Sequence, residues 1–111
     1  MTVEETKLID IISTDKRGRV NLTISDHLDW KDSEKHQRIL QAKLNAYLAF
    51  VESGELLEQY PDAKNRKVIF TLASKFQPDF AGRKFLNRAR KIIKSAGFDL
   101  RYKLFAQSYD N

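Results

Sequence analysis

Apolar and polar positions change their period several times along this chain, and each change marks a new element. Residues 7–13 (KLIDIIS) and 19–25 (RVNLTIS) are rich in β-branched and apolar side chains. Between them Thr14, Asp15, Lys16, Arg17 and Gly18 supply turn chemistry, with a glycine for a positive φ, so the segment predicts a β-hairpin. In its second strand Val20, Leu22 and Ile24 alternate with Arg19, Asn21, Thr23 and Ser25, which places one face in a core and the other in water.

From residue 32 to residue 52 the period becomes helical. His36, Leu40, Leu44, Tyr47, Leu48 and Val51 fall on one stripe, Asp32 or Ser33 can cap the start, and Ser53 with Gly54 supplies the stop. Residues 55–60 add one short helical turn before Pro61. Residues 67–73 (KVIFTLA) form a continuous apolar run, expected of a central strand covered on both faces or nearly so. Pro78 and Asp79 then open a second helix, with Phe85, Ala89, Ile92, Ile93 and Ala96 on its inner face and Gly97 at its end. Residues 98–105 (FDLRYKLF) alternate as a last strand.

The order is β-β-α-β-α-β. A strand, helix and strand in succession make a right-handed parallel crossover. Four strands and two amphipathic helices therefore predict an α+β fold: a two-layer sandwich with a mixed four-stranded sheet and both helices on one face. The expected interior is Leu40, Leu44, Val51, Phe85, Ala89 and Ile92, and the aromatics Phe50, Phe70, Phe76, Phe80, Phe85 and Phe98 are read as core.

Composition narrows the class. A chain of 111 residues, 41% hydrophobic, is read as a single domain over residues 1–111, able to bury roughly 65% of its unfolded surface. With no cysteine, disulfides, thiolate zinc sites and thiol nucleophiles are excluded. Residues 1–6 are acidic and polar without an apolar stretch, and no later run approaches a membrane span, so a cytoplasmic protein with no membrane association is expected. No phosphate-binding glycine loop, GxSxG or HExxH occurs, so the chain is not expected to be an enzyme.

Charge alters this picture more than composition does. Up to Asp62 there are eight Lys/Arg against twelve Asp/Glu, a net −4; from Ala63 onward there are twelve against three, a net +9. The formal +5 thus describes a bipolar chain, not an evenly basic one. Arg83, Lys84, Arg88, Arg90, Lys91 and Lys94 lie opposite the apolar stripe of the second helix, with no acid between Asp79 and Asp99. Lys64, Arg66, Lys67, Lys75, Arg101 and Lys103 could extend that arc into a phosphate-tracking patch. An RNA-recognition sheet would need exposed stacking aromatics, and Phe70 with Tyr102 does not form its motif, so the arc supports non-specific polyanion binding or an ordinary solvated face.

Two further places could carry chemistry. Asp26, His27, Asp29 and His36 are metal-ligand types, yet Asp and Ser equally end strands and cap helices, and Trp30 would pack as a lid over the helix end. The residues are therefore read as a structural junction or as a surface for a ligand or partner, with no metal and no cofactor. Lys43 lies between Tyr47 and Phe50 on the circumference of the first helix, on the same side as Ile39 and His36. It must snorkel to an edge, pair with an acid such as Asp26 or Asp29, or act chemically.

The stretch TISDHLDW (residues 23–30), followed by His36, Leu40, Gln41, Lys43, Asn45, Tyr47, Phe50, the Ser-Gly-Glu-Leu of residues 53–56 and the Tyr-Pro-Asp-Ala of residues 60–63, resembles a family of small single-domain bacterial proteins of unknown function. The resemblance runs from the first strand to the last. It implies a bacterial, cytoplasmic protein and brings no activity, cofactor or catalytic residue with it. The sequence reading is thus a protein-interaction module, with a second copy of the chain (a homodimer) among its partners. Nucleic-acid binding through the second helix is the alternative, and small-molecule binding near Asp26 and Lys43 a third reading.

Overall fold

The computed structural model describes residues 11–104. The elements are β1 (Ile11–Thr14), β2 (Val20–Asp26), α1 (Ser33–Glu52), α2 (Glu55–Gln59), a 3₁₀ turn (Pro61–Ala63), β3 (Val68–Ser74), α3 (Phe80–Ser95) and β4 (Asp99–Leu104). Residues 7–10 of the expected first strand and Phe105 of the last lie outside the described residues.

The hairpin turn forms because Asp15 collects donors. Its Oδ1 accepts the amides of Arg17 and Arg19, each at 2.9 Å, and its Oδ2 accepts Arg19 Nε at 2.8 Å. Gly18 closes the turn at φ +80°, where a Cβ would also stand 2.8 Å from the Arg66 guanidinium. Strands β1 and β2 then pair antiparallel.

Both remaining pairings, β2 with β3 and β3 with β4, are parallel, and the sheet order is β1-β2-β3-β4. Each crossover moves one strand in the same direction, so the right-handed rule sends both helices to the same face. Val20, Leu22 and Ile24 lie beside Val68, Phe70 and Leu72, and all six are buried in one cluster with Leu40, Leu44 and Tyr47 of α1 and Phe85, Leu86 and Ile93 of α3. The fold is the expected α+β sandwich, with the short α2 as a third helix. Every residue of β3 is buried, as its unbroken apolar run requires of a strand flanked on both sides.

Sheet order follows chain order, so the segregation of charge in the sequence becomes a segregation in space. The acidic half supplies β1, β2, α1 and α2; the basic half supplies β3, α3 and β4. Among the described residues no helix is long and apolar enough to cross a membrane.

Some expected interior positions are corrected. Ile92 is 62% exposed, because α3 packs through Gly82, Phe85, Leu86 and Ile93, and that contact stripe leaves Ile92 on its flank beside α1. Val51 and Ala89 are half-buried at the margins of the core. Phe76 (41% exposed) and Phe80 (68%) stand on the surface: Phe76 lies in the loop from β3 to α3, and Phe80 begins α3 on the side opposite its contact stripe of Gly82, Phe85, Leu86 and Ile93. Phe50, Phe70 and Phe85 are buried and Phe98 packs against the cluster.

Two outcomes follow from this packing. Leu44 is 4% exposed inside the cluster, so Leu44→Ala is expected to lower unfolding free energy by about 2 to 5 kcal/mol in urea titration. A variant as stable as the parent would refute the packing. The Arg19 amide, then the Arg19 side chain, Asn21 and the Arg17 amide, hold the Asp15 carboxyl down at about 2. Because the folded value lies below the unfolded one, this contribution is present above about pH 4 and is lost as pH falls toward about 2. A carbon-detected NMR titration should place the Asp15 midpoint near the lower value, with the turn amides of Arg17 and Arg19 losing exchange protection through the same range.

Candidate functional site

The carboxyl ends of the parallel strands and the amino ends of α1 and α3 meet at one end of the molecule. Asp26, the last residue of β2, is fully buried and lies beside Ser74, the last residue of β3. Its Oδ2 is 2.7 Å from His36 Nε2 and 3.5 Å from the Ser74 hydroxyl, while Oδ1 accepts the Leu28 amide at 3.1 Å. The second ring nitrogen, His36 Nδ1, is buried and has no hydrogen-bond partner among the described residues. His36 sits one turn inside α1, where the helix's partial positive end also favours a carboxylate.

Trp30 closes this cluster from above. Its ring lies over the His36 imidazole at 3.8 Å between centroids, tilted by 32°, and is 8% exposed. The indole also meets α3 at Gly82, where a Cβ would approach ring carbons to 2.7 and 2.9 Å. Glycine is required here for close approach, since its backbone conformation makes no special demand. Helix α3 is capped by Asp79, whose Oδ1 accepts the Gly82 amide at 2.7 Å and also the Ser33 hydroxyl of α1 at 3.0 Å. One carboxylate thus fastens both helix starts.

The residues expected at this junction divide into two groups. Asp26, Trp30, His36 and Lys43 are buried, whereas His27 and Asp29 are exposed on the loop. Of the alternatives open to Lys43, its full burial rules out an ammonium that snorkels to an edge; Nζ lies 5.4 Å from the Tyr47 ring centroid. Tyr47 in turn donates its hydroxyl to the Thr23 carbonyl at 3.1 Å. A cleft of ≈ 300 Å³ opens over His36, lined also by His27, Asp29, Asp32, Lys35 and Phe76. Among the described residues no group of three or more His, Asp or Glu side chains could hold a metal ion.

The basic arc is a second and separate surface. Arg83, Lys84, Arg88, Arg90, Lys91 and Lys94 are all exposed. At about 100° per residue, Phe80, Lys84 and Lys91 share the meridian of α3 that points directly away from the core, with Arg88 on one side and Arg83, Arg90 and Lys94 on the other. Lys84 Nζ stands 5.4 Å from the centroid of the exposed Phe80 ring, and Lys75 Nζ stands 5.6 Å from that of Phe76. Asp99, the acid whose field Lys94 feels, is already bonded to Lys67 at 2.9 Å, and that hydrogen bond is the main cause holding its carboxyl below the usual range. The arc therefore faces water largely unneutralised.

Sequence reasoning located Asp26, His36 and Trp30 but missed Ser74, Gly82 and the bond from Ser33 to Asp79. A glycine in the first turn of a helix, at a cost of about 1 kcal/mol against alanine, was the one local signal of a close approach. Nothing local marks Ser74.

Gly82→Ala tests the indole contact, because alanine's better helix propensity of about 1 kcal/mol would raise stability if the contact did not matter. Steric conflict with Trp30 is expected to reverse the sign, and His36→Ala, which strips a buried carboxylate of its partner, should cost about 3 to 5 kcal/mol. Chemical denaturation of both variants checks this, and a stabilised Gly82→Ala protein would overturn the packing around Trp30.

Comparison with known proteins finds no similar curated protein and no similar solved structure. One family model, described as a family of unknown function (DUF6572), matches residues 1–106, which is nearly the whole chain and takes in both the junction and the basic helix. The chain belongs to that family of unknown function.

Proposed function

We propose that this protein is a non-enzymatic binding module that holds single-stranded nucleic acid along α3, without reading its sequence. The observation that carries this reading is the outward meridian of α3: exposed Phe80 in line with Lys84 and Lys91, among six exposed cations. Cations neutralise phosphates and release counterions, and an exposed aromatic ring gives an unpaired base a stacking platform. Phe76, under Lys75, is a second exposed ring, in the loop that leads into α3. The buried Asp26 and His36 cluster belongs in this reading to the framework, since it clamps the start of α3 in place. A cytoplasmic location and a bacterial host accompany the proposal, and neither is needed for its test.

A second reading, a protein partner that includes a second copy of the chain, is favoured by the opposite end of the charge distribution. Helix α2 presents Leu57, 46% exposed, beside Glu55 and Glu58. That is an acidic apolar knob of the kind a basic face with an exposed Ile92 would complement.

The readings separate in one set of measurements. Under the nucleic-acid reading, an oligonucleotide should be retained at about 50 mM salt with affinity falling steeply as salt rises, and Arg88→Glu with Lys91→Glu should abolish retention without unfolding the protein. Phe80→Ala should weaken single-strand binding by about 1 to 3 kcal/mol and duplex binding much less. Under the partner reading, the same charge reversals change a concentration-dependent mass in sedimentation with no nucleic acid present. Protein that stays monomeric and ignores oligonucleotides at low salt would sink both readings.

A further inference from the structure

A groove of ≈ 290 Å³ runs between α3 and β4, on the flank of the helix and apart from its outward meridian. Its helix wall carries Arg83, Asn87 and Arg90, spaced i, i+4 and i+7 on one stripe. Its floor is apolar: Leu86 and Pro78 are buried, and Tyr102 and Leu104 come from β4. The Tyr102 hydroxyl already donates to the Phe76 carbonyl at 3.2 Å, so what Tyr102 offers the groove is ring surface. Burial pushes its phenol up, which keeps it neutral. The side chains of Arg83 and Arg90 make no hydrogen bond or ion pair among the described residues, and no acid among those residues lines the groove.

An apolar floor beneath two uncommitted guanidinium groups and an amide suits a ligand with one flat face and one compact anion. Guanidinium recognises phosphate through paired N–H donors, which a solvated lysine face does not offer. The volume lies at the lower limit of small-molecule sites, near the size of one nucleotide. We propose that this groove binds a phosphate monoester attached to a flat ring system, the chemistry shared by a free mononucleotide and by the 5′-phosphorylated end of a strand. Arg83 and Arg90 hold the phosphate, Asn87 bonds an oxygen between them, and the ring lies on Leu86 and Tyr102. The site is independent of strand retention by Lys84, Arg88 and Lys91, and stands or falls separately from it.

The test is NMR titration of the full chain with AMP, adenosine and inorganic phosphate, followed by oligonucleotides with and without a 5′-phosphate. AMP is expected to shift the resonances of Arg83, Asn87, Arg90 and Tyr102, with adenosine and phosphate each binding at least about ten-fold more weakly. Arg83→Ala with Arg90→Ala should weaken AMP by at least about ten-fold, whereas Arg88→Ala with Lys91→Ala should leave AMP unchanged while weakening oligonucleotide retention. A preference for the 5′-phosphorylated oligonucleotide identifies a strand end as the ligand; equal binding of the two oligonucleotides beside tight AMP identifies the free nucleotide. No shifts with AMP at about 10 mM, adenosine or phosphate binding as well as AMP, or an unaffected Arg83 and Arg90 double variant overturns the proposal.

Discussion

A carboxylate buried at the end of a parallel strand governs how this molecule is assembled. Asp26 is fully withdrawn from water, and a charge in that position costs several kcal/mol unless donors surround it. The donors arrive from three separate elements: His36 from α1, Ser74 from β3 and the Leu28 amide from the connecting loop. Satisfying the charge therefore sets the register of β2 against β3 and the depth at which α1 enters. Trp30 extends the constraint to α3, because its ring touches both the imidazole and Gly82. With Asp79 fastened to Ser33, the junction joins two strands and two helices through side chains that would be costly to separate.

That junction explains why the outer face of α3 can carry so much uncompensated charge. The helix is held from beneath by Phe85, Leu86 and Ile93 and at its start by Trp30 and Asp79, so its solvent face contributes little to folding. Repulsion among exposed cations is modest and screened by salt, whereas the buried contacts are not. Because each parallel crossover adds the next strand on the same side, the basic half of the chain is gathered at the β4 edge instead of being mixed with the acidic half. The topology turns a linear asymmetry of charge into two poles of one surface. A polyanion or an acidic protein surface would meet the same pole, and the exposed Phe80 ring on that face of α3 is what the proposed strand binding adds to charge alone.

The chain by itself determined its elements and their order. Period-two alternation in residues 20–24, helical periods over residues 33–52 and 80–95, and the capping chemistry of Asp32 and Asp79 are local signals, and local hydrogen bonds satisfy them. Handedness of the crossover then made one helical face the economical outcome before any contact was known. Family resemblance and the segregation of charge were also properties of the chain alone.

Only the tertiary structure decided which faces meet. Asp26 and Ser74 are 48 residues apart, and Ser33 and Asp79 are 46 apart, so no local pattern could pair them. A helical wheel identifies an apolar arc about 100° wide but not the angle at which a neighbour presses on it, which is why Ile92 reads as interior and stands exposed. Phe76 and Phe80 read as core because burial of an aromatic ring is favourable wherever it occurs; whether it occurs depends on where the loop after β3 and the first turn of α3 come to lie against the rest of the fold. Lys43 was legible as an anomaly and became fully buried only when its helix had packed. Sequence sets what each segment prefers by itself, whereas a site requires distant segments to converge, and convergence is settled by the mutual burial of faces that no single segment contains.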